Sequence, residues 1–134
     1  MGIFVANKVL KLMIKKSHII NKSKVLVLGI TFKENCPDVR NSKVIDVINE
    51  LKEFGCEVDV YDPIADKEEV KKEYNINLLK DINLKKYDTI ILAVAHNEFK
   101  NIEQKIKKAK ENNNSLVVYD IKGMFDKTLV DGRL

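Results

Sequence analysis

Val25-Leu26-Val27-Leu28-Gly29-Ile30-Thr31-Phe32-Lys33-Glu34-Asn35-Cys36-Pro37-Asp38-Val39-Arg40-Asn41-Ser42 changes character twice along its length. Its first residues form a continuous apolar run of strand length, which fits a strand covered on both faces. From Thr31 to Asn41 the periodicity disappears and Pro37 interrupts the chain, so this part reads as a loop. Ser42 then offers an N-cap oxygen to a helix whose buried side is Val44, Ile45, Val47, Ile48 and Leu51. Gly55 sits where such a helix ends in a left-handed residue. A strand, a long loop and a helix in that order begin a β-α-β unit.

The pattern repeats outward from this stretch. Glu57-Val58-Asp59-Val60-Tyr61 reads as a second strand, stopped by Asp62-Pro63, and a short charged helix is expected around residues 66–74. Residues 76–79 read as a minor strand or a turn. Asp88-Thr89-Ile90-Ile91-Leu92-Ala93-Val94 is a third strand, apolar almost throughout, followed by a helix over 99–111 with Ile102, Ile106 and Ala109 inward. Asn112-Asn113-Asn114 breaks that helix, Leu116-Val117-Val118-Tyr119-Asp120 is the fourth strand, and residues 127–134 read as a polar tail. Upstream, residues 2–16 carry Ile3, Val5, Val9, Leu10, Leu12 and Met13 at helical spacing, an amphipathic helix that stands apart from the repeating unit. Strands alternating with helices give a parallel sheet with right-handed crossovers, hence an α/β, three-layer Rossmann-like sandwich preceded by one helix.

The chain has 134 residues, the size of one domain, with 45% hydrophobic and 33% charged residues. It contains no run of the roughly 20 apolar residues that a membrane helix needs. Four lysines interrupt residues 1–16, which therefore lack the apolar centre of a secretory signal. These features point to a cytoplasmic protein. Cys36 and Cys56 have neither metal-ligand spacing nor the number for a disulfide framework, so free thiols and no metal site are expected. The net charge of +4 is modest. Lysines interleaved with Ile and Leu make solvated helix faces, and no aromatic-basic motif for nucleic acid is present.

Ligands of an open parallel sheet bind beyond the carboxyl ends of its strands, where the strand order reverses. Lys33 follows the first strand and Lys122 the fourth, so both cations are expected on one rim. Arg40 lies close to a helix start, which adds free N–H donors and partial positive charge. That set suits an anionic ligand such as a diphosphate. A dinucleotide would need Gly-x-Gly-x-x-Gly after the first strand. Here Gly29 is followed by bulky Ile30, Thr31 and Phe32, so the sheet is not expected to hold NAD itself. A phospho-receiver would need an acidic pair after the same strand, and Gly29-Ile30-Thr31 has none.

The segment from Val27 to Ser42, with Lys33-Glu34-Asn35-Cys36-Pro37-Asp38 at its centre, resembles the hallmark of the UDP-glucose/GDP-mannose dehydrogenase family. It resembles in particular the opening of the family's C-terminal, UDP-binding domain in the branch acting on UDP-N-acetylhexosamines. Tyr61-Asp62-Pro63, Ala95-His96-Asn97-Glu98-Phe99, Asp120-Ile121-Lys122-Gly123 and Asp131-Gly132-Arg133-Leu134 fall in the family's order. The resemblance implies a domain over 21–134 that binds a UDP-sugar, preceded over 1–20 by the end of the central inter-domain and dimerisation helix. It implies a parent enzyme, a homodimer or larger, that oxidises the C6 alcohol of a UDP-hexosamine to a carboxylate with NAD. The NAD-binding domain and catalytic cysteine would lie in other segments, so this chain carries no catalytic residue. Phe32 and Lys33 match positions that contact the UDP-sugar, and Lys122 matches a position where many members carry arginine. Arg40 matches an arginine that reaches across the domain cleft toward NAD, and is otherwise expected to be exposed or paired with Asp38. His96 is expected to cap the helix after it, with ligand contact the alternative; Asp62 is expected to shape a turn, and Asp120 to orient Lys122. The competing reading is a stand-alone Rossmann-like nucleotide- or CoA-binding regulatory module.

Overall fold

The computed structural model describes residues 2–134. Five parallel strands form one sheet: β1 (Lys24–Leu28), β2 (Glu57–Tyr61), β3 (Thr89–Leu92), β4 (Val117–Asp120) and β5 (Gly132–Arg133), in the order β2-β1-β3-β4-β5. β3 and β4 are buried at every position and β1 at all but its first, as their uninterrupted apolar runs require. β2, at the edge, mixes exposed and buried positions. β1 sits between β2 and β3, with Leu28 opposite Tyr61 on one side and Leu92 on the other. The chain therefore leaves β1 in opposite directions for its two neighbours, and the crevice this creates opens at the carboxyl ends of β1 and β3.

Period-two alternation divides the core into two layers. Val25, Val27, Ile91, Val117 and Tyr119 face one side, where they meet the helices α1 (Gly2–Lys15), α2 (Val44–Glu53) and α3 (Lys67–Tyr74). Leu26, Leu28, Ile90, Leu92 and Val118 face the other, against Phe99, Phe125 and α4 (Ile102–Asn112). The first helix is not set apart from the sandwich in space. Val5, Ala6, Val9 and Met13 are fully buried in the same layer as α2. A Cβ on Gly2 would run into Asp46 of α2, so the two helices touch closely at that end. Each large apolar side chain buried there contributes roughly 1.5–3 kcal/mol gross. Of the expected stripe, Ile3 faces solvent instead, beside exposed Phe4 and Ile14.

The helix signals act as read, with one adjustment at the start of α2. Ser42 Oγ accepts from Val44 N–H at 3.3 Å, but α2 begins at Val44, with Lys43 already helical. Asp66 caps α3 by accepting from Glu68 and Glu69 N–H. Gly55 has φ +92, the left-handed ending expected after α2. Residues 76–79 form no strand, although Leu79 N–H donates to the Val60 carbonyl.

Residues 127–134 are not a polar tail. Leu129 is buried and Gly132–Arg133 extends the sheet, pairing with Tyr119 and Asp120. Asp131 accounts for this docking: its carboxylate accepts from Lys110 Nζ (2.8 Å) and Val118 N–H (2.7 Å), and contacts Lys16 Nζ at 2.9 Å. A two-residue strand held by one charge has no periodicity from which sequence could read it.

Candidate functional site

At the carboxyl ends of β1, β3 and β4 lies a cleft of ≈ 250 Å³. Its apolar floor is Val47, Ala93, Val94 and Ile121; Phe32, Lys43 and Lys122 also line it. Lys43 and Lys122 are exposed, and Phe32 is 57% exposed, so its ring is not part of the core. Two larger hollows, each ≈ 350 Å³, lie elsewhere. One mixes lysines with Glu103, Glu111 and Asp126, and the other is lined by Asp46, Glu50 and Glu53. Neither combines an apolar floor with cations, so the smaller cleft at the strand ends is the better site for an anion-bearing, partly apolar ligand.

The wall after β1 passes close over β3. Gly29 has φ +97, and a Cβ there would stand 2.6 Å from Val94 Cβ. The glycine is consumed by this crossing of two protein segments and leaves no bare backbone for a pyrophosphate. With Ile30, Thr31 and Phe32 following, the sheet does not fit an NAD site of its own, as the missing glycine fingerprint indicates.

Two carboxylates with almost no solvent exposure hold the loops. Asp62 Oδ1 accepts from Ile64 N–H (2.9 Å) and Ala65 N–H (3.0 Å), the turn role expected of it. Its Oδ2 reaches back to accept from Ile30 N–H (2.8 Å), Thr31 N–H (3.3 Å) and His96 Nε2–H (3.0 Å). Burial alone would raise the Asp62 carboxyl, but the hydrogen bonds from His96 and from Ile30 and Ile64 N–H outweigh it and hold the group below its ordinary value. Asp120 Oδ1 accepts from Lys122 N–H (3.0 Å) and Gly123 N–H (2.8 Å), and Oδ2 from Phe125 N–H (2.8 Å). It thereby sets the backbone from which Lys122 projects.

His96 departs from expectation. It precedes the short 3₁₀ turn Asn97–Asn101, but its side chain makes no capping bond there. The ring is fully buried and joined to Asp62, Thr31 and Asn35. A histidine three residues ahead of a buried aromatic was legible as a loop residue; its partners, more than thirty positions away, were not.

Phe32 and Lys122 thus share one cleft. Lys33 is exposed on the turn beside Phe32, and its carbonyl accepts from Thr31 Oγ1 at 2.9 Å. Arg40 opens onto a separate depression of ≈ 170 Å³, lined also by Phe32, Asp38 and Asn41. It pairs with Asp38 through two bonds of 3.1 Å, and its side chain is 72% exposed. Lys43 was missed from sequence because a lysine at a helix start looks like any solvated lysine. Only the strand order brings it to the same cleft as Lys122. Among the described residues no cluster of His, Cys, Asp and Glu could hold a metal ion, and no helix is long and apolar enough to cross a membrane. Cys56 is buried, which pushes its thiol up, with Asp88 adding to the effect.

Residues 26–127 match the model of the UDP-glucose/GDP-mannose dehydrogenase family, UDP binding domain. The UDP-N-acetyl-D-glucosamine 6-dehydrogenase of Salmonella typhi is 49% identical over 100 residues, covering 75% of this chain and 24% of that protein. The enzyme of the same name from Pseudomonas aeruginosa is 42% identical over 138 residues, covering 100% of this chain and 32% of that one. The chain therefore spans about a quarter to a third of the length of these curated relatives. Among solved structures, a UDP-glucose dehydrogenase from the hyperthermophilic archaeon Pyrobaculum islandicum superposes with a TM-score of 0.72 at 22% identity. That match covers 97% of this chain and 29% of the other, and establishes likeness of fold.

Proposed function

The chain belongs to the UDP-glucose/GDP-mannose dehydrogenase family, and from that premise we propose that it is the UDP-sugar-binding domain of an NAD-dependent UDP-sugar 6-dehydrogenase. The substrate class is a UDP-N-acetylhexosamine, as in the names of the relatives with the higher identities. The observation that carries this reading is the cleft at the strand-order reversal, where Lys43 and Lys122 accompany Phe32 over an apolar floor. Two exposed ammonium groups supply charge for a diphosphate, and the aromatic and aliphatic surface suits the uncharged remainder of a nucleotide sugar. Lys33, on the turn beside Phe32, is assigned to the same ligand by the family motif.

The oxidation of the sugar C6 alcohol to a carboxylate is assigned to the parent enzyme in a cytoplasmic setting. NAD accepts the electrons there, held mainly by a domain other than this one. Of this chain's residues, Arg40 is the one assigned to reach the cofactor across the domain boundary. Neither cysteine is suited to covalent catalysis. Cys56 is buried with a raised thiol, and Cys36 opens onto a shallow hollow with Pro37, Asp38, Arg40, Asp66 and Glu69, apart from the cleft that Phe32 and Lys122 line. Residues 1–20 are assigned to the end of the central helix, whose upstream part would bring the dimer contact.

Calorimetric titration of the 134-residue chain with UDP tests the reading. UDP is expected to bind, and UMP, with one phosphate fewer, more weakly. Lys122→Ala should remove one charged hydrogen bond, about 1.5–3 kcal/mol, or roughly 10- to 100-fold in affinity. No heat and no saturable binding of UDP to the folded wild-type chain would overturn it.

A further inference from the structure

The ring of His96 has no solvent exposure, and its two nitrogens face different kinds of partner. Nδ1 lies 2.9 Å from the backbone nitrogen of Asn35, which can only donate, so Nδ1 is the unprotonated nitrogen. The ring proton is therefore on Nε2, which faces Asp62 Oδ2 at 3.0 Å and Thr31 Oγ1 at 3.2 Å. The Thr31 hydroxyl proton is already committed to the Lys33 carbonyl at 2.9 Å. Asn35 itself stands at φ +60, and its Oδ1 accepts from Asn97 N–H at 3.0 Å, beside His96. Both ends of the turn from Thr31 to Asn35 are thus attached to one imidazole, with Phe32 and Lys33 between the attachment points. The Phe99 ring packs 5.4 Å from it, centroid to centroid, and Asp62 is the charged group bonded to it.

We propose that His96 is a positioning residue for the nucleotide-sugar pocket: as the Nε2–H tautomer it fixes the turn that presents Phe32 and Lys33, and it touches neither ligand nor cofactor. The ligand part rests on the UDP reading above; the attachment of the turn does not. The two attachments differ in polarity, so they can be severed separately. Glutamine places its amide nitrogen where Nε2 stands, keeping the donor to Asp62 and losing the acceptor for Asn35 N–H. Asparagine places its oxygen where Nδ1 stands, keeping that acceptor and losing the donor to Asp62.

The test compares wild type, His96→Gln and His96→Asn in the 134-residue chain by UDP titration, thermal unfolding and amide hydrogen exchange at Asn35. Both variants should unfold at lower temperature than wild type. His96→Gln should speed Asn35 exchange about 10-fold or more and weaken UDP about 10-fold, the consequence of one lost hydrogen bond. His96→Asn should keep Asn35 protected and UDP affinity within about 3-fold of wild type, even where its unfolding temperature is the lower of the two. Affinity losses that simply follow the unfolding temperatures, or wild-type affinity in both variants, would overturn the positioning role. Should the wild-type chain not bind UDP, the functional reading fails by itself. The exchange measurement still decides the attachment, which is refuted if Asn35 keeps wild-type protection in His96→Gln.

Discussion

The loop after β1 and the loop after β4 each hang from a buried aspartate, but the two carboxylates draw their partners from different distances along the chain. Asp120 gathers Lys122, Gly123 and Phe125, all within five residues, and its one distant neighbour, Arg133 Nη2, is 3.7 Å away. Asp62 gathers Ile64 and Ala65 locally, then Ile30 and Thr31 from beyond β1, and His96 from beyond β3. One wall of the cleft is therefore a turn whose carboxylate bonds are local, and the other exists only once three strands lie side by side. A site built this way gains a wall that forms with the fold as a whole and a wall whose backbone is nearly set by its own sequence.

The sharpest way to break this comparison is to replace each aspartate by asparagine. An amide keeps one acceptor oxygen and turns its NH₂ toward the donors on the other side. At Asp62 either orientation sets NH₂ against at least two donors, so Asp62→Asn should cost about 3–5 kcal/mol, the range for breaking a buried charged network. At Asp120 the oxygen can stay with Lys122 and Gly123, leaving Phe125 N–H opposed and the more distant Arg133 without its anion, so Asp120→Asn should cost about 1–3 kcal/mol. Urea unfolding of the two variants measures the difference. Equal losses would mean that Asp62's reach across the strands adds no stability.

Acid titration sharpens the same point. Asp62 is held below its ordinary value despite burial that opposes this, and so is Asp131, where bonds from Lys110, Lys16 and Val118 N–H outweigh burial. For a carboxyl depressed in the folded state, the stabilisation is complete above the unfolded value, about 4, and is lost as pH falls through the lower folded value. Wild-type stability should therefore fall as pH drops below about 4, and the Asp62→Asn variant should show a shallower fall over that window. An unchanged slope in the variant would show that Asp62 is not among the groups responsible.

The same division governs what the sequence made legible. The strands, their parallel arrangement and the turn role of Asp120 follow from runs and spacings of a few residues, and Asp62 was legible as a turn former for the same reason. What could not be read were its bonds to Ile30 and Thr31, the burial of His96, and Lys43 as a neighbour of Lys122. Each depends on β1 lying between β2 and β3, which no local pattern encodes. β5 escaped notice because Gly132–Arg133 is too short to alternate, and its docking depends on Lys16 and Lys110 meeting Asp131 across the fold. The family motif covered part of this gap. It assigns Phe32, Lys33 and Lys122 to one ligand, whereas the fold brings Phe32 and Lys122 to one cleft and leaves Lys33 outside its lining, and it gives no physical reason why His96 should be buried.

The smallest effect expected concerns the side chain that the β4 wall presents. Asp120 bonds the backbone of Lys122 and leaves the side chain exposed, so the framework should not register which cation stands there. Lys122→Arg should accordingly move the stability of the chain by no more than about 0.5 kcal/mol, as surface substitutions do. Arginine brings a planar, two-pronged donor set in place of a point charge, so UDP should bind about 2- to 5-fold more tightly to the variant. Titration and thermal unfolding of the same sample separate the two expectations. A clear drop in unfolding temperature would show that the lysine side chain helps to hold its own loop, and Asp120's local bonds would then no longer account for the β4 wall in the way that sets it apart from the wall after β1.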